Sequence, residues 1–213
     1  MLNITELFVS VQGESTFAGI PTVFVRLSGC DLRCVWCDTE YAFGKGEEIS
    51  LDKVYDDIMG YGFSHVCITG GEPLLQKEVY PLMSRLCDAN KVVSLETSGA
   101  HNISDVDERV TIIMDVKCPG SGMSEKMCWE NMGLLKGSAE VKFVIASRED
   151  YDYAYEVCRK HDLYDKVGAV LFAPVHGNVD TKDLVSWMLT DKIPARINLQ
   201  LHKYIWPEAK RGV

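Results

Sequence analysis

Three cysteines lie within eight residues, Cys30, Cys34 and Cys37, with the spacing C-x3-C-x2-C. A structural zinc site takes four ligands, usually as two pairs, and a regular ferredoxin cluster takes four thiolates. Three thiolates on one short loop can hold three corners of a 4Fe–4S cubane and leave the fourth iron open to a small molecule. The spacing therefore favours chemistry at an open iron. A zinc site completed by a distant Cys or His is the structural alternative.

A glycine-rich turn follows the next apolar segment, with the sequence Thr69-Gly70-Gly71-Glu72-Pro73. Two glycines let the backbone adopt positive φ and come close to a ligand. Alone, the turn is explained equally well as a tight strand-to-helix connection. The cysteine loop, with Trp36 just before its last cysteine, and the Gly-Gly-Glu-Pro turn together resemble the radical S-adenosylmethionine (SAM) superfamily.

The resemblance implies that SAM chelates the open iron through its amino and carboxylate groups. One electron from the cluster then cleaves the sulfonium, giving methionine and a 5′-deoxyadenosyl radical that abstracts hydrogen from the substrate. Because the cofactor carries this step, no catalytic side chain is expected. The resemblance assigns SAM contacts to residues of the loop and of the strand ends: Trp36, Cys37, Asp38, Gly70, Gly71, Glu72, Ser98, Asp115, Val116, Lys117, Ala173, Pro174, Val175 and His176.

A closer resemblance is carried by three further segments: Phe8-Val9-Ser10-Val11-Gln12-Gly13-Glu14-Ser15, Cys37-Asp38-Thr39 and Leu199-Gln200-Leu201-His202-Lys203. Together they are similar to the family of 7-carboxy-7-deazaguanine synthases of queuosine biosynthesis. That family contracts the ring of 6-carboxy-5,6,7,8-tetrahydropterin and releases ammonia, with SAM reused as a cofactor and Mg²⁺ assisting. Many members have glycine where this chain has Ser15.

The substrate chemistry matches the residue types. The edge of a pterin presents donors and acceptors in one plane, which suits Gln12 and Glu14, and the planar fork of Arg26 suits a carboxylate. Mg²⁺ prefers oxygen ligands, and Thr39 offers one. Singly, these are also explained as a solvated acid, a strand arginine and a capping hydroxyl. The resemblance gives the substrate set Val11, Gln12, Gly13, Glu14, Arg26, Thr69, His202 and the terminal carboxylate of Val213.

Composition limits the class of protein. With 213 residues, no linker and no repeat, the sequence predicts one domain over residues 1–213. The net charge of −9 excludes nucleic acid as a natural partner. We expect a soluble cytoplasmic protein without signal peptide or membrane span. Its eight cysteines then indicate metal or buried thiols: core thiols at Cys67, Cys87 and Cys158, and free thiols at Cys118 and Cys128.

Six β-branched runs alternate in part with helical patterns, which predicts right-handed βαβ units. The fold class is α/β, a partial TIM-like barrel of about six parallel strands with few helices. Functional groups should gather at the carboxyl ends of the strands. Helices are predicted from Leu51 to Gly60 and from Leu75 to Leu86, and over 149–161 and 181–189. The strands are predicted at 22–27, 65–69, 91–95, 111–116, 140–145 and 167–172.

Two other functions stay open from the sequence. A glycyl-radical-enzyme activase shares the cysteine loop, but lacks the Gln-Gly-Glu opening and the Gln-x-His-Lys tail. A metal-stabilised binding module without catalysis is the other. The resemblance further implies an external low-potential electron donor such as flavodoxin and, by analogy with incomplete barrels, a homodimer.

Overall fold

The computed structural model describes residues 1–175, 177–207 and 211–212. One sheet of nine strands runs through it in the order β3-β1-β2-β4-β5-β6-β7-β8-β9. From β2 to β9 neighbouring strands are parallel, whereas β1 is antiparallel to β2 and β3. The strands are β1 Leu2–Val11, β2 Pro21–Leu27, β3 Glu47–Ile49, β4 His65–Gly70, β5 Val92–Thr97, β6 Thr111–Val116, β7 Glu140–Ile145, β8 Ala169–Pro174 and β9 Arg196–Ile197.

The helices lie mainly between the parallel strands: α1 Leu51–Tyr61, α2 Val79–Asp88, α3 Asn131–Leu134, α4 Arg148–Lys160, α5 Leu163–Lys166, α6 Thr181–Asp191 and α7 Leu201–Ile205. Helix α1 begins after Ser50, whose hydroxyl accepts a hydrogen bond from the Lys53 amide at 3.2 Å. It ends at Gly62, with φ of 76°, and not at Gly60 as predicted. Within the described residues, no helix is long and apolar enough to cross a membrane.

The predicted α/β class and open, mostly parallel sheet are confirmed, and the six predicted strands match β2 and β4 to β8. Three strands were missed. β1 is half-buried along most of its length, and β3 and β9 have only three and two residues. The second helix begins at Val79, because Leu75 belongs to a separate 3₁₀ turn at Pro73–Leu75.

The two faces of the sheet differ in character because side chains alternate along a strand. On β4, Val66 and Ile68 lie in the hydrophobic core, while Cys67 and Thr69 face the other side. That other face, here called the concave face, carries polar residues on several strands. Its members include Arg26 on β2, Thr69 on β4, Glu96 on β5, Asp115 on β6 and Lys142 on β7.

The concave face is curved. Seven strand-to-strand steps separate β1 from β9, or about 34 Å on a flat sheet. Ser15 lies only four residues after β1, a reach of about 13 Å, yet its amide is 2.8 Å from Oδ1 of Asn198, the residue after β9. The sheet must therefore bend round into a partial barrel, which encloses the concave face.

Candidate active site

The Gln-Gly-Glu opening closes one end of the partial barrel. Because Val11 on β1 pairs with Pro21, the first residue of β2, the loop at 12–20 lies at the amino ends of the parallel strands. Its Thr16 amide donates to Glu140, the first residue of β7, at 3.2 Å. Site residues were predicted mainly at the carboxyl ends of the strands. This loop instead reaches the concave face from the opposite end.

Gln12 and Thr69 contact the same carboxylate on the concave face. Gln12 Nε2 donates to Glu96 Oε1 at 3.3 Å, and Thr69 Oγ1 donates to Glu96 Oε2 at 2.8 Å. Arg26 is the β2 residue paired in register with Thr69. The structure therefore brings three of the predicted substrate residues, Gln12, Arg26 and Thr69, onto one surface around Glu96.

Glu14 is surrounded by three donors from two distant parts of the chain. Its oxygens accept from Lys142 Nζ at 2.9 Å, Gln200 Nε2 at 2.8 Å and Asn198 Nδ2 at 3.2 Å. Burial alone would raise the pKa of Glu14, but the charge and hydrogen bond of Lys142, with the bond from Gln200, lower it to about 2. Glu14 is therefore an ionised, oriented acceptor at neutral pH.

The Gln-x-His-Lys tail packs directly on the opening loop. The amide of Leu201 donates to the Gly13 carbonyl at 2.8 Å, and a Cβ at Gly13 would lie 2.1 Å from Nδ1 of His202. Gln200, besides holding Glu14, reaches Asp38 of the cysteine loop at 3.1 Å. A side chain at position 13 would collide with His202 as it lies here. Through Gln200, the tail joins the opening loop to the cysteine loop. Val213 lies outside the described residues.

Arg26 is partly buried and already has one partner. Its Nε donates to Glu6 Oε1 at 2.7 Å, and the Tyr41 hydroxyl donates to the same oxygen at 2.8 Å. Burial opposes the charge, but Tyr41 and Glu6 raise the pKa of Arg26, so the guanidinium stays charged. Within the described residues its two terminal nitrogens make no hydrogen bond. That end of the fork is free to bind an anion.

The three clustered cysteines are half-buried free thiols on the loop that follows β2. Burial raises the pKa of Cys30 and of Cys34. The loop is fixed by Arg33, whose Nη1 donates to the carbonyl of Cys30 at 2.8 Å, and by the amide of Val35, which donates to Ser121 at 3.1 Å. In the described part of the chain, no three Cys, His, Asp or Glu side chains already surround a common point. The donor set, three thiols on one anchored loop, fits three corners of a cluster.

The glycine turn packs against the cysteine loop without intervening side chains. Gly70 has φ of 142°, and a Cβ there would lie 2.2 Å from the carbonyl oxygen of Leu27. A Cβ at Gly71 would lie 2.1 Å from the carbonyl oxygen of Gly29 and 3.0 Å from the Cβ of Cys30. Any larger residue would push the two loops apart, so the glycines place exposed backbone beside the cysteines.

Glu72, the acid of the turn, holds two strand ends together. It is fully buried, and its oxygens accept from Thr97 Oγ1 at 2.9 Å, from the Ser98 amide at 2.7 Å and from the Leu74 amide at 3.0 Å. Because these bonds occupy the carboxylate, Glu72 positions Ser98 and the turn. Its amide donates to the Gly29 carbonyl at 2.8 Å, so Glu72 also ties the turn to the start of the cysteine loop.

The remaining predicted SAM contacts lie at the ends of β6 and β8. Lys117 Nζ is 2.9 Å from Asp115 Oδ2, and Asp115 Oδ1 is buried without a partner among the described residues. Val116 is fully buried in the hydrophobic core. After β8, Pro174 and Val175 line a cavity of about 460 Å³ together with Gln200, Lys203 and residues 177–181. Ala173 is buried beside them, and His176 lies outside the described residues.

Comparison with known proteins identifies the class. The model of the radical SAM superfamily matches residues 24–171. That match covers more than half of the chain and includes the cysteine loop and the glycine turn. The fold and the site therefore define a radical SAM enzyme.

Relatives over the full length narrow the class to one family. The chain is 42% identical to the 7-carboxy-7-deazaguanine synthase of Koribacter versatilis, with 100% of both chains covered. It is 44% identical to that of Chlorobaculum tepidum, over 100% of this chain and 97% of the relative. The crystal structure of QueE from Escherichia coli superposes with a TM-score of 0.74 at 25% identity, covering 94% of each chain. The chain belongs to the 7-carboxy-7-deazaguanine synthases.

The sequence analysis missed four residues that the structure places in the site: Glu6, Lys142, Asn198 and Gln200. Lys142 left a signal, since a lysine within the mostly apolar strand Glu140–Ile145 must face a polar surface or an acid. Gln200 stood within the tail motif. Glu6 and Asn198 left none, because their roles depend on contacts between distant parts of the chain.

Proposed function

We propose that this chain converts 6-carboxy-5,6,7,8-tetrahydropterin to 7-carboxy-7-deazaguanine with release of ammonia. The observation that carries the proposal is the contact between the tail and the opening loop, Gln200 to Glu14 at 2.8 Å, on the concave face that also bears Arg26. Both motifs distinguish the family from other radical SAM enzymes, and the fold joins them in one site beneath the cysteine loop.

The polar groups suit the proposed substrate. Ionised Glu14 accepts hydrogen bonds only, and so fits the N–H edge of the pterin ring. The amide of Gln12 donates to Glu96 at 3.3 Å and accepts from the Glu14 amide at 3.2 Å, so it would meet that edge by exchanging one of these bonds. The free terminal nitrogens of Arg26 fit the carboxylate in a bidentate pair. Thr69 and His202 complete the walls of the proposed pocket.

Cofactor binding divides between the cysteine loop and the strand ends. Cys30, Cys34 and Cys37 would hold the cluster, and the backbone of Gly70 and Gly71 would face SAM. When bound, the reduced cluster and SAM supply one-electron chemistry that begins with removal of a hydrogen atom from the substrate. The chain itself orients both ligands and excludes water, with the tail covering the side between the opening loop and Asp38.

Magnesium belongs to the same proposal. Thr39 precedes the 3₁₀ turn Glu40–Ala42, but its hydroxyl makes no capping hydrogen bond. That hydroxyl lies 3.7 Å from the sulfur of Cys37. One Thr39 oxygen, with waters and substrate oxygens, suits Mg²⁺, which keeps several waters in most protein sites.

We also infer an external low-potential electron donor such as flavodoxin, because the chain holds no second candidate cluster loop.

A homodimer is supported by the exposed apolar side chains of the tail, Leu199, Tyr204, Ile205 and Trp206, beside the edge strand β9. The eight cysteines are all free thiols, which fits a protein that works in the reducing cytoplasm. We take the chain to work as a single domain.

The test is an anaerobic assay of cluster-reconstituted protein with SAM, Mg²⁺, a chemical reductant and the carboxytetrahydropterin. We expect 7-carboxy-7-deazaguanine by mass spectrometry, with one ammonia per product. A glycyl-radical activase would cleave SAM without forming this product, and a binding module would not cleave SAM. Either result would contradict the proposal.

A further inference from the structure

A largely buried lysine on the concave face lies between two carboxylates from different parts of the site. Lys142 Nζ is 2.9 Å from Glu14 Oε2 and 3.8 Å from Asp115 Oδ2. Asp115 has a second lysine, Lys117, at 2.9 Å. Glu14 has no other lysine or arginine in contact among the described residues, and its remaining partners are the neutral amides of Asn198 and Gln200.

The arrangement is asymmetric, and the asymmetry indicates what Lys142 does. Without it, Asp115 would keep a close cation, whereas Glu14 would keep only neutral donors. An acid that is mostly withdrawn from water and lacks a cation takes up a proton more readily. A protonated carboxyl is no longer a pure acceptor, and it would present a hydroxyl toward whatever faces it.

We propose that Lys142 is a positioning residue for the substrate: it holds Glu14 ionised and aimed at the N–H edge of the bound pterin. The inference deepens the proposed function and rests on it. Lys142 itself faces Glu14, and no direct contact with the substrate is required.

The pH dependence follows from the groups around Glu14. In the parent protein, its pKa of about 2 keeps Glu14 ionised above acidic pH. Replacing Lys142 removes the main lowering influence and leaves burial, so the pKa of Glu14 rises and binding weakens as the pH falls. His202, Lys117 and Lys203 are the other basic groups nearby, and Asp38, Glu96, Asp115 and Glu140 the acidic ones. Burial lowers the pKa of His202 and the charge of Glu14 opposes this, so His202 does not titrate independently of Glu14. Lys142→Arg, which keeps the cation beside Glu14, is therefore the reference for the pH effect.

The experiment measures the pterin dissociation constant by anaerobic calorimetry at about pH 6 and about pH 8, with SAM present and no reductant. The variants are Lys142→Met, which keeps bulk without charge, and Lys142→Arg, which keeps the charge. Lys136→Met, an exposed lysine paired with Glu108, is the matched control. Thermal unfolding of each variant reports whether it folds.

For Lys142→Met we expect binding weaker by at least about tenfold at the higher pH, equivalent to about 1.4 kcal/mol, and weaker still at the lower pH. Lys142→Arg should recover most of the affinity and lose the extra pH dependence, which also tests the idea should Lys142→Met fold poorly. The inference would be overturned by a folded Lys142→Met variant that binds the pterin like the parent at both pH values. It would also be overturned by a Lys142→Arg variant that binds the pterin as weakly as Lys142→Met does. A parent protein that does not bind the pterin would instead overturn the proposed function.

Discussion

Arg26 carries the most specific expectation about the substrate. Its Nε is held by Glu6 at 2.7 Å, and Tyr41 fixes the same Glu6 oxygen at 2.8 Å. The guanidinium is thus oriented before any ligand binds, and among the described residues its two terminal nitrogens make no hydrogen bond that would compete with a carboxylate. The perturbation is Arg26→Ala, compared with Arg26→Lys and with Glu6→Gln.

The magnitude follows from the loss of one partner of a buried charge pair, which costs about 2–5 kcal/mol. At 1.4 kcal/mol per tenfold, Arg26→Ala should weaken carboxypterin binding by roughly 30-fold or more. Arg26→Lys should recover part of this, because a point charge cannot make the bidentate contact. Glu6→Gln keeps an acceptor for Nε but not the charge, so it should weaken binding less than Arg26→Ala does.

The assay is anaerobic binding of the carboxypterin and of an analogue without the carboxylate. Arg26→Ala should weaken the first and leave the second almost unchanged, since only the first carries the group that Arg26 meets. Iron content, SAM binding and uncoupled SAM cleavage serve as controls and should survive. If Arg26→Ala weakened both ligands equally, or neither, Arg26 would act only as a structural partner of Glu6.

Three further predictions test the cluster, the metal and the backbone. Alanine at Cys30, Cys34 or Cys37 should abolish the iron chromophore and SAM cleavage, whereas Cys118→Ala and Cys128→Ala should keep both. Iron for a second cluster that is lost in Cys118→Ala or Cys128→Ala would contradict the prediction of a single cluster. Thr39→Ala should weaken Mg²⁺ stimulation of turnover at unchanged iron content, and equal stimulation would place Mg²⁺ elsewhere. Ser15 has φ of 65° and a hydroxyl that accepts from the Phe17 amide at 3.1 Å. Ser15→Ala loses this bond and should lower the free energy of unfolding in urea by about 1 kcal/mol. Ser15→Gly loses the same bond but relieves the left-handed strain, so its free energy of unfolding should stay near that of the parent. Equal stability of the two variants would refute this.

The central strands and the site motifs could be predicted because their signals are local. Continuous apolar runs predict buried parallel strands, and a cysteine spacing or a glycine pair lies within one loop. Strand β1 was harder to predict because it is half-buried along most of its length, and β9 because two residues carry no periodicity. Ser15 takes the left-handed conformation, with φ of 65°, at the position where many members of the resembled family have glycine, so the resemblance carried a signal there; the bond from its amide to Asn198, 183 residues away, had none.

The charged partners of two site residues were missed for the same physical reason. That Glu14 and Arg26 would each have a charged protein partner could not be predicted, because Lys142 and Glu6 reach them only through the curvature and pairing of the sheet. The site residues were expected at the carboxyl ends of the strands, where parallel sheets usually gather them. In the structure they lie at both ends.

The decisive measurement is an anaerobic crystal structure with SAM and the carboxytetrahydropterin bound. We expect the pterin on the concave face, with its ring edge on Gln12 and Glu14 and its carboxylate on the terminal nitrogens of Arg26, below SAM at the cysteine loop. A pterin bound outside the concave face, or bound there with its carboxylate away from Arg26, would contradict it.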